Sequence, residues 1–380
     1  MTKTVVILGG SYGGLHVAHY LLKQKYPDVK VILITKNSHL FWNFASVRAI
    51  VKEANIQDKD IFGSIPEALS RYPAESYELV IGAATSSDLK SKTVTVTPSD
   101  SKQTRTISYD YLVLATGSRT SDLGPNLMPW KANDGYEELT KLLHETQEKV
   151  QQAKHIIVAG AGATGVEVAG ELGFEYANAN GEKKKEIILL NADQEILRGD
   201  SISSAARSEL KKVGVQIRDN SRVTDVKTTA GGKTEVVLAN GEVLVTDLYL
   251  PTMGLIPNTE YLDKIYLDKN GFVVVNDLYE VQGAEGIWAI GDLVGKPRCG
   301  FMITQKQAAG VGANVDAVLR GKGQSVVKGM PFDILVCAVG RSRTAGRMGV
   351  VKMLSVMGWA AKGRTLGIER LGGYIDGRVA

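Results

Sequence analysis

Two glycine-rich segments of this chain have the residue types and spacing that bind the pyrophosphate of a dinucleotide. The first cradle, residues 9–14, reads Gly-Gly-Ser-Tyr-Gly-Gly and follows the apolar run 5–8. The second cradle, residues 160–165, reads Gly-Ala-Gly-Ala-Thr-Gly and follows the apolar run 156–158. Such a loop between a strand and a helix brings backbone N–H groups and the helix dipole up to a phosphate. Two cradles predict two bound dinucleotides, and hydride transfer between them is the usual reason to hold both.

The first cradle departs from the G-x-G-x-x-G fingerprint at its middle position. Gly9 is expected to form the tight turn and Gly14 to let helix and strand pack closely, while Ser11 is small and can donate its hydroxyl to a phosphate. Where the fingerprint expects a carboxylate for a ribose hydroxyl, the chain has Thr35 and then Lys36. Thr35 can still bond a hydroxyl. Lys36 either flanks the adenine or belongs to an ordinary loop.

The second cradle has all three fingerprint glycines, Gly160, Gly162 and Gly165. Asn191 ends the next predicted strand, where a carboxylate would bind a ribose 2′-hydroxyl and indicate NADH. Its neutral side chain removes the repulsion against a 2′-phosphate. Arg198 either meets such a phosphate or is a surface charge. The sequence therefore leaves NADH and NADPH both open.

The order of predicted elements is that of a duplicated nucleotide-binding fold. Each cradle begins a βαβ unit, which is followed by a meander of short strands and one further strand, including a strand predicted at 271–275. This pattern predicts an α/β protein with two Rossmann-like domains, the second inserted into the first. The predicted boundaries are 1–125 with 255–318 for the first domain, 126–254 for the second, and 319–380 for a small C-terminal domain.

Composition and charge exclude several function classes. With 44% hydrophobic and 23% charged residues the chain is typical of globular proteins, and a net charge of +4 gives no reason to expect nucleic acid as a partner. No apolar run is long enough to span a bilayer. The first strand, from about Lys3, leaves no room for a signal peptide, and the Met-Thr start lacks the myristoylation pattern. We therefore expect a cytoplasmic protein, either a monomer or a homodimer.

The basic C-terminal region has two interpretations. From residue 319 onward the chain has eleven Lys or Arg but three Asp or Glu. Segment 347–362 predicts an amphipathic helix with a basic face. Such a helix either lies in a phospholipid headgroup layer, where it can admit a lipophilic molecule, or packs on its own domain. Its apolar face would be formed by Val350, Leu354, Met357 and Ala361.

The chain resembles the pyridine-nucleotide reductases, flavoproteins that bind two dinucleotides. The resemblance rests on both cradles, on residues 109–118 (Tyr-Asp-Tyr-Leu-Val-Leu-Ala-Thr-Gly-Ser) and on residues 287–292 (Ile-Trp-Ala-Ile-Gly-Asp), in that order. Within this superfamily the chain is similar to the apoptosis-inducing-factor-like branch, in particular the ferroptosis suppressor proteins, next to the type II NADH:quinone dehydrogenases. The local likenesses are segments 41–48, 163–167, 251–258 and 362–366.

The resemblance implies FAD at the first cradle and NADH or NADPH at the second. It implies that Arg48 lies beside FAD, that Glu167 lies near the nicotinamide as a catalytic candidate, and that Gly254 and Pro257 line the dinucleotide groove. Arg48 could equally form a surface ion pair, and Glu167 could be an ordinary carboxylate on a helix face. The implied FAD contacts are Gly9, Ser11, Gly14, Thr35, Ala115, Thr116, Gly117 and Asp292, and Ala84 is a further cofactor-binding candidate.

The implied reaction needs positioning more than acid or base groups. Reacting atoms held about 3–3.5 Å apart make hydride transfer effectively unimolecular. Disulfide reductases of this fold relay electrons through a cysteine pair, but Cys299 and Cys337 are far apart in sequence and form no C-x-x-C motif. We therefore expect direct transfer to a flat, two-electron acceptor such as a quinone. Lys306 and Gln307 follow the predicted FAD aspartate and are candidates to touch the flavin or the acceptor.

Two other functions stay open at this stage. The chain could be an NAD(P)H-sensing signalling flavoprotein with low turnover. It could also be a reductase of a small iron–sulfur electron carrier that docks on the basic C-terminal region. His16 and His19 lie three residues apart without a third ligand at metal-binding spacing, so no metal site is expected.

Overall fold

The computed structural model describes residues 2–101, 103–120, 127–132 and 135–380. The first part of the chain contains strands β1 (Lys3–Leu8), β2 (Val29–Thr35), β3 (His39–Phe41), β4 (Phe62–Ser64), β5 (Tyr77–Asp88), β6 (Thr93–Pro98), β7 (Arg105–Ser108), β8 (Tyr111–Leu114) and β9 (Ser118–Thr120). It also contains helices α1 (Tyr12–Lys23), α2 (Ser46–Ala49), α3 (Asp58–Ile61) and α4 (Ile65–Leu69).

The first sheet forms around β1, whose apolar residues 5–8 are all buried. β1 pairs in parallel with β2 and β8, and β2 pairs in parallel with β5. Strands buried on both faces read as continuous apolar runs, which is why this run has no polar alternation. The antiparallel meander β5–β6–β7 extends the sheet on one side.

The second part of the chain repeats this arrangement. Its helices and strands are α5 (Tyr136–Gln152), β10 (His155–Ala159), α6 (Ala163–Leu172), β11 (Glu186–Leu190), α7 (Ser203–Lys212), β12 (Gln216–Arg218), β13 (Val223–Thr228), β14 (Thr234–Leu238), β15 (Val243–Thr246) and β16 (Leu248–Pro251). A parallel sheet has the order β12-β11-β10-β16, and β13-β14-β15 form an antiparallel meander. One face of α5 is buried, namely Leu139, Leu143, Thr146 and Val150.

The last part of the chain returns to the first sheet. It contains β17 (Leu255–Pro257), β18 (Ile287–Ala289), α8 (Phe301–Leu319), β19 (Ile334–Val339), β20 (Arg343–Met348), β21 (Val351–Met353), α9 (Ser355–Gly358) and α10 (Leu371–Ile375). β18 pairs in parallel with β8, which gives the first sheet the order β18-β8-β1-β2-β5-β6-β7. The predicted fold class, two Rossmann-like units with the second inserted into the first, is confirmed. Strands β9 and β17 form an antiparallel ribbon between the units.

Two local predictions are wrong. The segment 347–362 is not one helix, because β20 and β21 form a hairpin through Gly349, whose φ is +59°, and α9 begins only at Ser355. β20 also pairs with β19, a long-range partner that a local helical pattern does not reveal. The segment 271–275 is not a strand, since Val273 and Val275 form isolated bridges with two different segments.

The C-terminal region packs on both units. Strands β19 and β20 contact α6 and α7 of the second unit, while α10 contacts α4 and β4 of the first. Three of its arginines bind carboxylates of the second unit. The pairs are Arg341 with Glu175, Arg343 with Glu209, and Arg347 with Asp200. The domain boundaries proposed from sequence stay predictions, and the one at 125/126 falls outside the described residues.

Candidate active site

The first cradle joins β1 to α1 through a turn that admits only glycine at two positions. Gly9 has a φ of +106°, and a Cβ on it would lie 2.2 Å from the carbonyl oxygen of Ala115. A Cβ on Gly14 would lie 1.8 Å from the carbonyl oxygen of Gly9. Ser11 is exposed, and its side chain caps no N–H group of the helix. The N-terminus of α1 therefore keeps its donors and its positive dipole for a phosphate, so these residues fit a pyrophosphate.

Four of the predicted FAD-binding groups lie at one edge of the first sheet. The first cradle follows β1, Thr35 ends β2, residues 115–117 follow β8, and Asp292 follows β18. Because these strands are parallel, their carboxyl ends share an edge. Ligands of open α/β sheets bind outside this edge. The structure thus brings together groups that are far apart in sequence.

Asp292 is a partly buried carboxylate with two donors beside it. Lys131 Nζ lies 2.6 Å from Asp292 Oδ2, and Ser118 Oγ donates to the same oxygen at 3.1 Å. Burial by itself raises the pKa of Asp292, but the Lys131 ammonium outweighs burial and holds this pKa below its ordinary value. Asp292 is therefore an ionised hydrogen-bond acceptor. Lys131 was missed by sequence analysis because the loop 127–132 contains no motif.

The end of β2 is the predicted ribose position. The Thr35 hydroxyl bonds within the turn, to the carbonyl oxygen of Asn37 at 3.2 Å, and Lys36 is exposed. Asn37 Oδ1 is buried and has no hydrogen-bond partner in the described part of the chain. A buried acceptor without a donor fits a site that a ligand hydroxyl completes. Ala84 lies further along the neighbouring strand β5, opposite Val96.

The predicted residues after β8 are bonded to the segment that returns from the second unit. Thr116 Oγ1 donates to the carbonyl oxygen of Asn258 at 2.8 Å, and Asn258 Nδ2 donates to the carbonyl oxygen of Thr116 at 2.9 Å. The amide of Asn258 donates to the carbonyl oxygen of Gly117. Gly254 has a φ of +69°, and Pro257 pairs with Ser118 in the β9–β17 ribbon. Asn258 therefore ties the segment that follows β17 to the end of β8, at the edge of the first site.

The second cradle joins β10 to α6 in the same way. Gly160 has a φ of +99°, and a Cβ on Gly165 would lie 1.7 Å from the carbonyl oxygen of Gly160. A Cβ on Gly162 would meet no atom within 4 Å. Packing therefore demands glycine at the first and third positions, and the middle glycine faces open space, as a bound pyrophosphate requires. The first turn of α6 has no acidic residue and its N-terminus has no side-chain cap.

Asn191 follows β11 at the predicted ribose position of the second site. Its Nδ2 donates to the carbonyl oxygen of Asp193 at 2.8 Å and to Asp219 Oδ1 at 3.0 Å. Arg207 binds Asp219 through both terminal nitrogens, at 2.9 and 3.0 Å. The carboxylate nearest to Asn191 is thus already neutralised. Arg198 is exposed and lies in the turn after Ile196.

A charged cluster stands where α6 meets the C-terminal region. Glu167 on α6 is buried, and its Oε1 lies 2.6 Å from Lys362 Nζ and accepts the Ala338 amide at 2.9 Å. Burial by itself lowers the pKa of Lys362, but the Glu167 carboxylate raises it above its ordinary value. The lysine is therefore charged. Its Nζ also lies 6.0 Å from the ring centre of Phe44.

Arg48 and Glu171 form a second buried pair beside the first. Arg48 Nη2 and Nε donate to Glu171 Oε1 at 2.7 and 3.0 Å. The remaining guanidinium donors reach the carbonyl oxygens of Arg364 and Gly363. Arg48 thus joins α2 of the first unit, α6 of the second and the C-terminal region. The position of Arg48 beside FAD, implied by the resemblance, stays a prediction, and its ion pair is buried and not at the surface.

Aromatic rings fill the space between the first cradle and the C-terminal region. The ring of Tyr12, within the cradle, has its centroid 5.2 to 5.6 Å from those of its four neighbours. These neighbours are Trp42, Phe44, Phe301 and Tyr374. A cavity of about 350 Å³ borders this cluster, a volume within the range of small-molecule sites. It is lined by Phe301, Gln305, Glu369, Arg370, Gly373, Tyr374, Arg378 and Val379.

The two acceptor candidates on α8, Lys306 and Gln307, differ in burial. Gln307 is buried, and its Oε1 accepts the Gly291 amide at 2.7 Å. Its Nε2 donates to the carbonyl oxygen of Lys296 and to Tyr279 Oη. Gln307 therefore holds the turn that carries Asp292. Lys306, the preceding residue of the helix, is exposed.

In residues 2–101, 103–120, 127–132 and 135–380, no group of three or more His, Cys, Asp or Glu is arranged to hold a metal ion. No helix in the same part of the chain is long and apolar enough to cross a bilayer.

Fold and site together define the class of protein. Each of two parallel sheets presents a glycine cradle at its carboxyl edge, and the Arg48–Glu171 ion pair joins the two units. This is the architecture of an oxidoreductase that holds two dinucleotides. The family described as pyridine nucleotide-disulphide oxidoreductase matches residues 3–309, and the chain belongs to this family.

Individual relatives agree with this assignment. The chain is 37% identical to oxidoreductase ptaL of Pestalotiopsis fici over 383 residues, which cover 99% of this chain and 100% of that protein. It is 25% identical to ferroptosis suppressor protein 1 of Xenopus laevis over 394 residues, covering 98% and 90% of the two chains. The resemblance inferred from the motifs is confirmed. The protein is an FAD-dependent NAD(P)H oxidoreductase, with FAD and NAD(P)H as its cofactors.

Among solved structures, the fold is similar to that of the sulfide:quinone oxidoreductase of Aquifex aeolicus. The TM-score is 0.75 at 16% sequence identity, with 99% of this chain and 92% of that chain covered. At this identity the likeness concerns the fold alone.

Proposed function

We propose that the protein passes electrons from its flavin directly to a quinone-type acceptor, without a relay disulfide. Bound FAD would supply the two-electron chemistry between NAD(P)H and this acceptor. The chain's own residues hold the two pyrophosphates, orient the rings and exclude water. The observation that carries the proposal is the placement and chemistry of the two cysteines.

Neither cysteine is suited to relay electrons. Cys337 is fully buried in β19, and burial raises the pKa of its thiol to about 12. Burial and the nearby Asp292 carboxylate raise the pKa of Cys299 to about 11. Both cysteines are free thiols. Because the thiolate is the nucleophile in disulfide exchange, groups that stay protonated at neutral pH are poor relays.

The cavity beside Phe301 and Tyr374 supports a flat acceptor. It lies between the beginning of α8 and the last residues of the chain, next to the rings that surround Tyr12. Aromatic walls favour stacking of a planar molecule, and Gln305 and Arg370 can donate hydrogen bonds to carbonyl oxygens. The similar fold of a sulfide:quinone oxidoreductase is compatible with a quinone.

Reduction of a small iron–sulfur protein has less support. That function needs a basic docking surface, and the C-terminal arginines were the sequence-based candidates for it. Arg341, Arg343 and Arg347 are engaged by carboxylates of the second unit, so their charges are neutralised within the molecule. A sensor with low turnover is distinguished from the proposed enzyme by its rate with a quinone.

The proposal includes peripheral contact with a lipid surface through the apolar hairpin, defined as residues 348–357. Val350 is 95% exposed and Leu354 69% exposed, and Val351, Val356 and Met357 are exposed as well. Large apolar side chains grouped on a surface mark an interaction site more often than isolated ones do. The exposed Lys352 on the same hairpin favours an anionic headgroup layer.

The acceptor is tested by anaerobic half-reactions. The holoenzyme is reduced with NADH or NADPH and then mixed with menadione, a ubiquinone analogue, a ferredoxin or oxygen, while flavin absorbance is recorded. We expect rapid reoxidation by the quinones. The Cys299→Ser/Cys337→Ala variant should keep this rate. Loss of quinone turnover in a folded double variant, or reoxidation by ferredoxin alone, would contradict direct transfer to a quinone.

The position of the acceptor is tested by filling the cavity. Val379→Trp should raise KM for menadione and leave the rate of flavin reduction by NAD(P)H unchanged. Val326→Trp is the matched control, because Val326 is 63% exposed and lies outside the cavity lining. An unchanged KM in a folded Val379→Trp variant would place the acceptor elsewhere.

A further inference from the structure

The turn at residues 196–199, beside the second cradle, has an unusual backbone. Leu197 and Arg198 have φ of +54° and +55°, and Gly199 has a φ of +71°. Across the described residues this is the one place where two adjacent non-glycine residues both adopt positive φ. L-residues in this region carry strain, and strain of this kind clusters at ligand sites.

Contacts on both sides hold this turn in place. The Leu197 amide donates to the carbonyl oxygen of Ala161, inside the second cradle, at 2.8 Å. On the other side, the Asp200 carboxylate binds Arg347 at 2.7 and 2.9 Å. Leu197 itself is buried. Arg198 is therefore presented to solvent from a fixed position next to the pyrophosphate cradle.

The Arg198 guanidinium has no hydrogen bond or ion pair within the described residues, whereas the carboxylates nearby are engaged. Asp219 is bound by Arg207, and Asp193 lies 3.5 Å from Arg222. Glu195 accepts the Ser203 hydroxyl at 2.7 Å and lies 3.8 Å from Arg207. An arginine whose backbone is held in place and whose side chain has no carboxylate partner is suited to bind an external anion.

The residue at the ribose position does not oppose an anion. Asn191 is neutral, and its amide donors are used by Asp193 and Asp219, which fixes its side chain. A carboxylate at the end of this strand selects a free 2′-hydroxyl, and an arginine nearby accommodates a 2′-phosphate. The second site has Asn191 in place of that carboxylate, and Arg198 lies on a turn whose backbone is held in place.

We propose that the second cradle selects NADPH over NADH and that Arg198 binds the 2′-phosphate. This rests on the second cradle being the nicotinamide-nucleotide site, and it is independent of which acceptor takes the electrons. Arg198 binds the end of the nucleotide remote from the reacting carbon. It is therefore a specificity residue and not a catalytic one.

The proposal is tested first by binding, without turnover. Calorimetry of the FAD-loaded protein compares 2′,5′-ADP with 5′-ADP, which differ only in the 2′-phosphate. We expect 2′,5′-ADP to bind roughly tenfold or more tightly, as a charge-assisted bidentate contact allows. Arg198→Ala should remove this preference and leave the affinity for 5′-ADP unchanged, while Arg198→Lys should keep part of it.

The matched control separates a specific contact from general positive charge. Arg222→Ala removes the same charge from the same region, but Arg222 lies against Asp193, so this variant should keep the preference for 2′,5′-ADP. A wild-type protein that binds both compounds equally would overturn the proposal. So would an Arg198→Ala variant that keeps the preference.

Kinetics gives the second readout. The ratio of kcat/KM for NADPH to that for NADH should exceed one in the wild type and fall in Arg198→Ala mainly through KM for NADPH. Asn191→Asp should lower the same ratio by repelling the 2′-phosphate. If neither nucleotide reduces the flavin, the proposed function fails, but the comparison of 2′,5′-ADP with 5′-ADP still decides the role of Arg198.

Discussion

Lys362 Nζ lies 2.6 Å from Glu167 Oε1, and this ion pair joins the C-terminal region to α6 of the second unit. Glu171, one turn further along α6, binds Arg48 of the first unit. Two carboxylates of one helix face thus connect three parts of the molecule. Changes in this cluster are expected to affect both the stability and the alignment of the two nucleotide sites.

Removing one partner of the first pair tests its role. Lys362→Met leaves the buried Glu167 without a counter-charge, and we expect the free energy of unfolding to fall by roughly 3 kcal/mol. Denaturant unfolding of the holoenzyme measures this. Lys352→Met is the control, because Lys352 is exposed on the hairpin and should behave as wild type. The double variant Glu167→Gln/Lys362→Met should be more stable than Lys362→Met, and equal stability would contradict the coupling.

Two glycines of the second cradle, Gly162 and Gly165, are expected to respond differently to substitution by alanine. Gly165→Ala places a Cβ 1.7 Å from a backbone oxygen, so this variant is expected to lose stability. Gly162→Ala meets no protein atom within 4 Å and should fold normally, but its methyl group occupies space that we assign to the pyrophosphate. Thermal unfolding and the Kd of NADPH are measured for both variants. Unchanged NADPH affinity in Gly162→Ala would contradict this assignment.

Asp292 is the residue on which FAD binding should depend most. Asp292→Asn keeps the shape and removes the charge that Lys131 and Ser118 surround. We expect FAD affinity to fall at least tenfold, since a hydrogen bond to a charged group contributes about 1.5–3 kcal/mol. Flavin release during ultrafiltration measures the effect. Asp277→Asn changes an exposed carboxylate outside the site and should retain FAD fully, and equal retention in Asp292→Asn would contradict the assignment.

Local sequence determined much of the fold and of the first site. The glycines of the cradles were predicted because each depends on residues within one or two elements, and Asp292 was assigned through the motif at residues 287–292 that carries the family resemblance. Lys131 and Lys362 were not assigned partners from sequence, because their carboxylates lie more than a hundred residues away along the chain. The C-terminal hairpin was missed for a related reason, since β20 depends on pairing with β19.

Two histidines of α1 predict a pH dependence of stability. His16 and His19 are buried, and burial lowers the pKa of each to about 4 from an ordinary 6.5, with Lys23 adding to the shift of His16 and Arg71 to that of His19. The unfolded chain therefore binds more protons between pH 6.5 and 4. The free energy of unfolding is at its full value above pH 6.5 and falls below it, by on the order of 3 kcal/mol for each histidine by pH 4.

Urea unfolding at fixed excess FAD, repeated between pH 7.5 and 4.5, measures this slope. His16→Leu removes one titrating group at similar volume and should flatten the slope by about half. A wild-type protein equally stable at both ends of this pH range would contradict the buried, neutral state of the two histidines.

The apolar hairpin gives the test of membrane contact. Val350→Asp/Leu354→Asp adds charge to two side chains that already face solvent, so the fold should persist. Wild-type protein should sediment with vesicles of phosphatidylglycerol and phosphatidylcholine. The variant should bind at least tenfold more weakly, because each buried Val or Leu contributes about 1.5–3 kcal/mol. Val245→Asp, at a half-exposed valine of β15, is the control and should bind as wild type.

The alternative partner of the apolar hairpin is a second copy of the chain. Sedimentation velocity distinguishes self-association through the hairpin from binding to lipid. If the wild type is a dimer, the variant a monomer and neither binds vesicles, the hairpin is a subunit interface and the membrane proposal is wrong. If vesicle binding is lost in the variant while the oligomeric state is unchanged, the exposed valines and leucine contact lipid. Vesicle binding measured at high salt then gives the contribution of Lys352. Salt screens the attraction of Lys352 to anionic headgroups but does not weaken the apolar contribution.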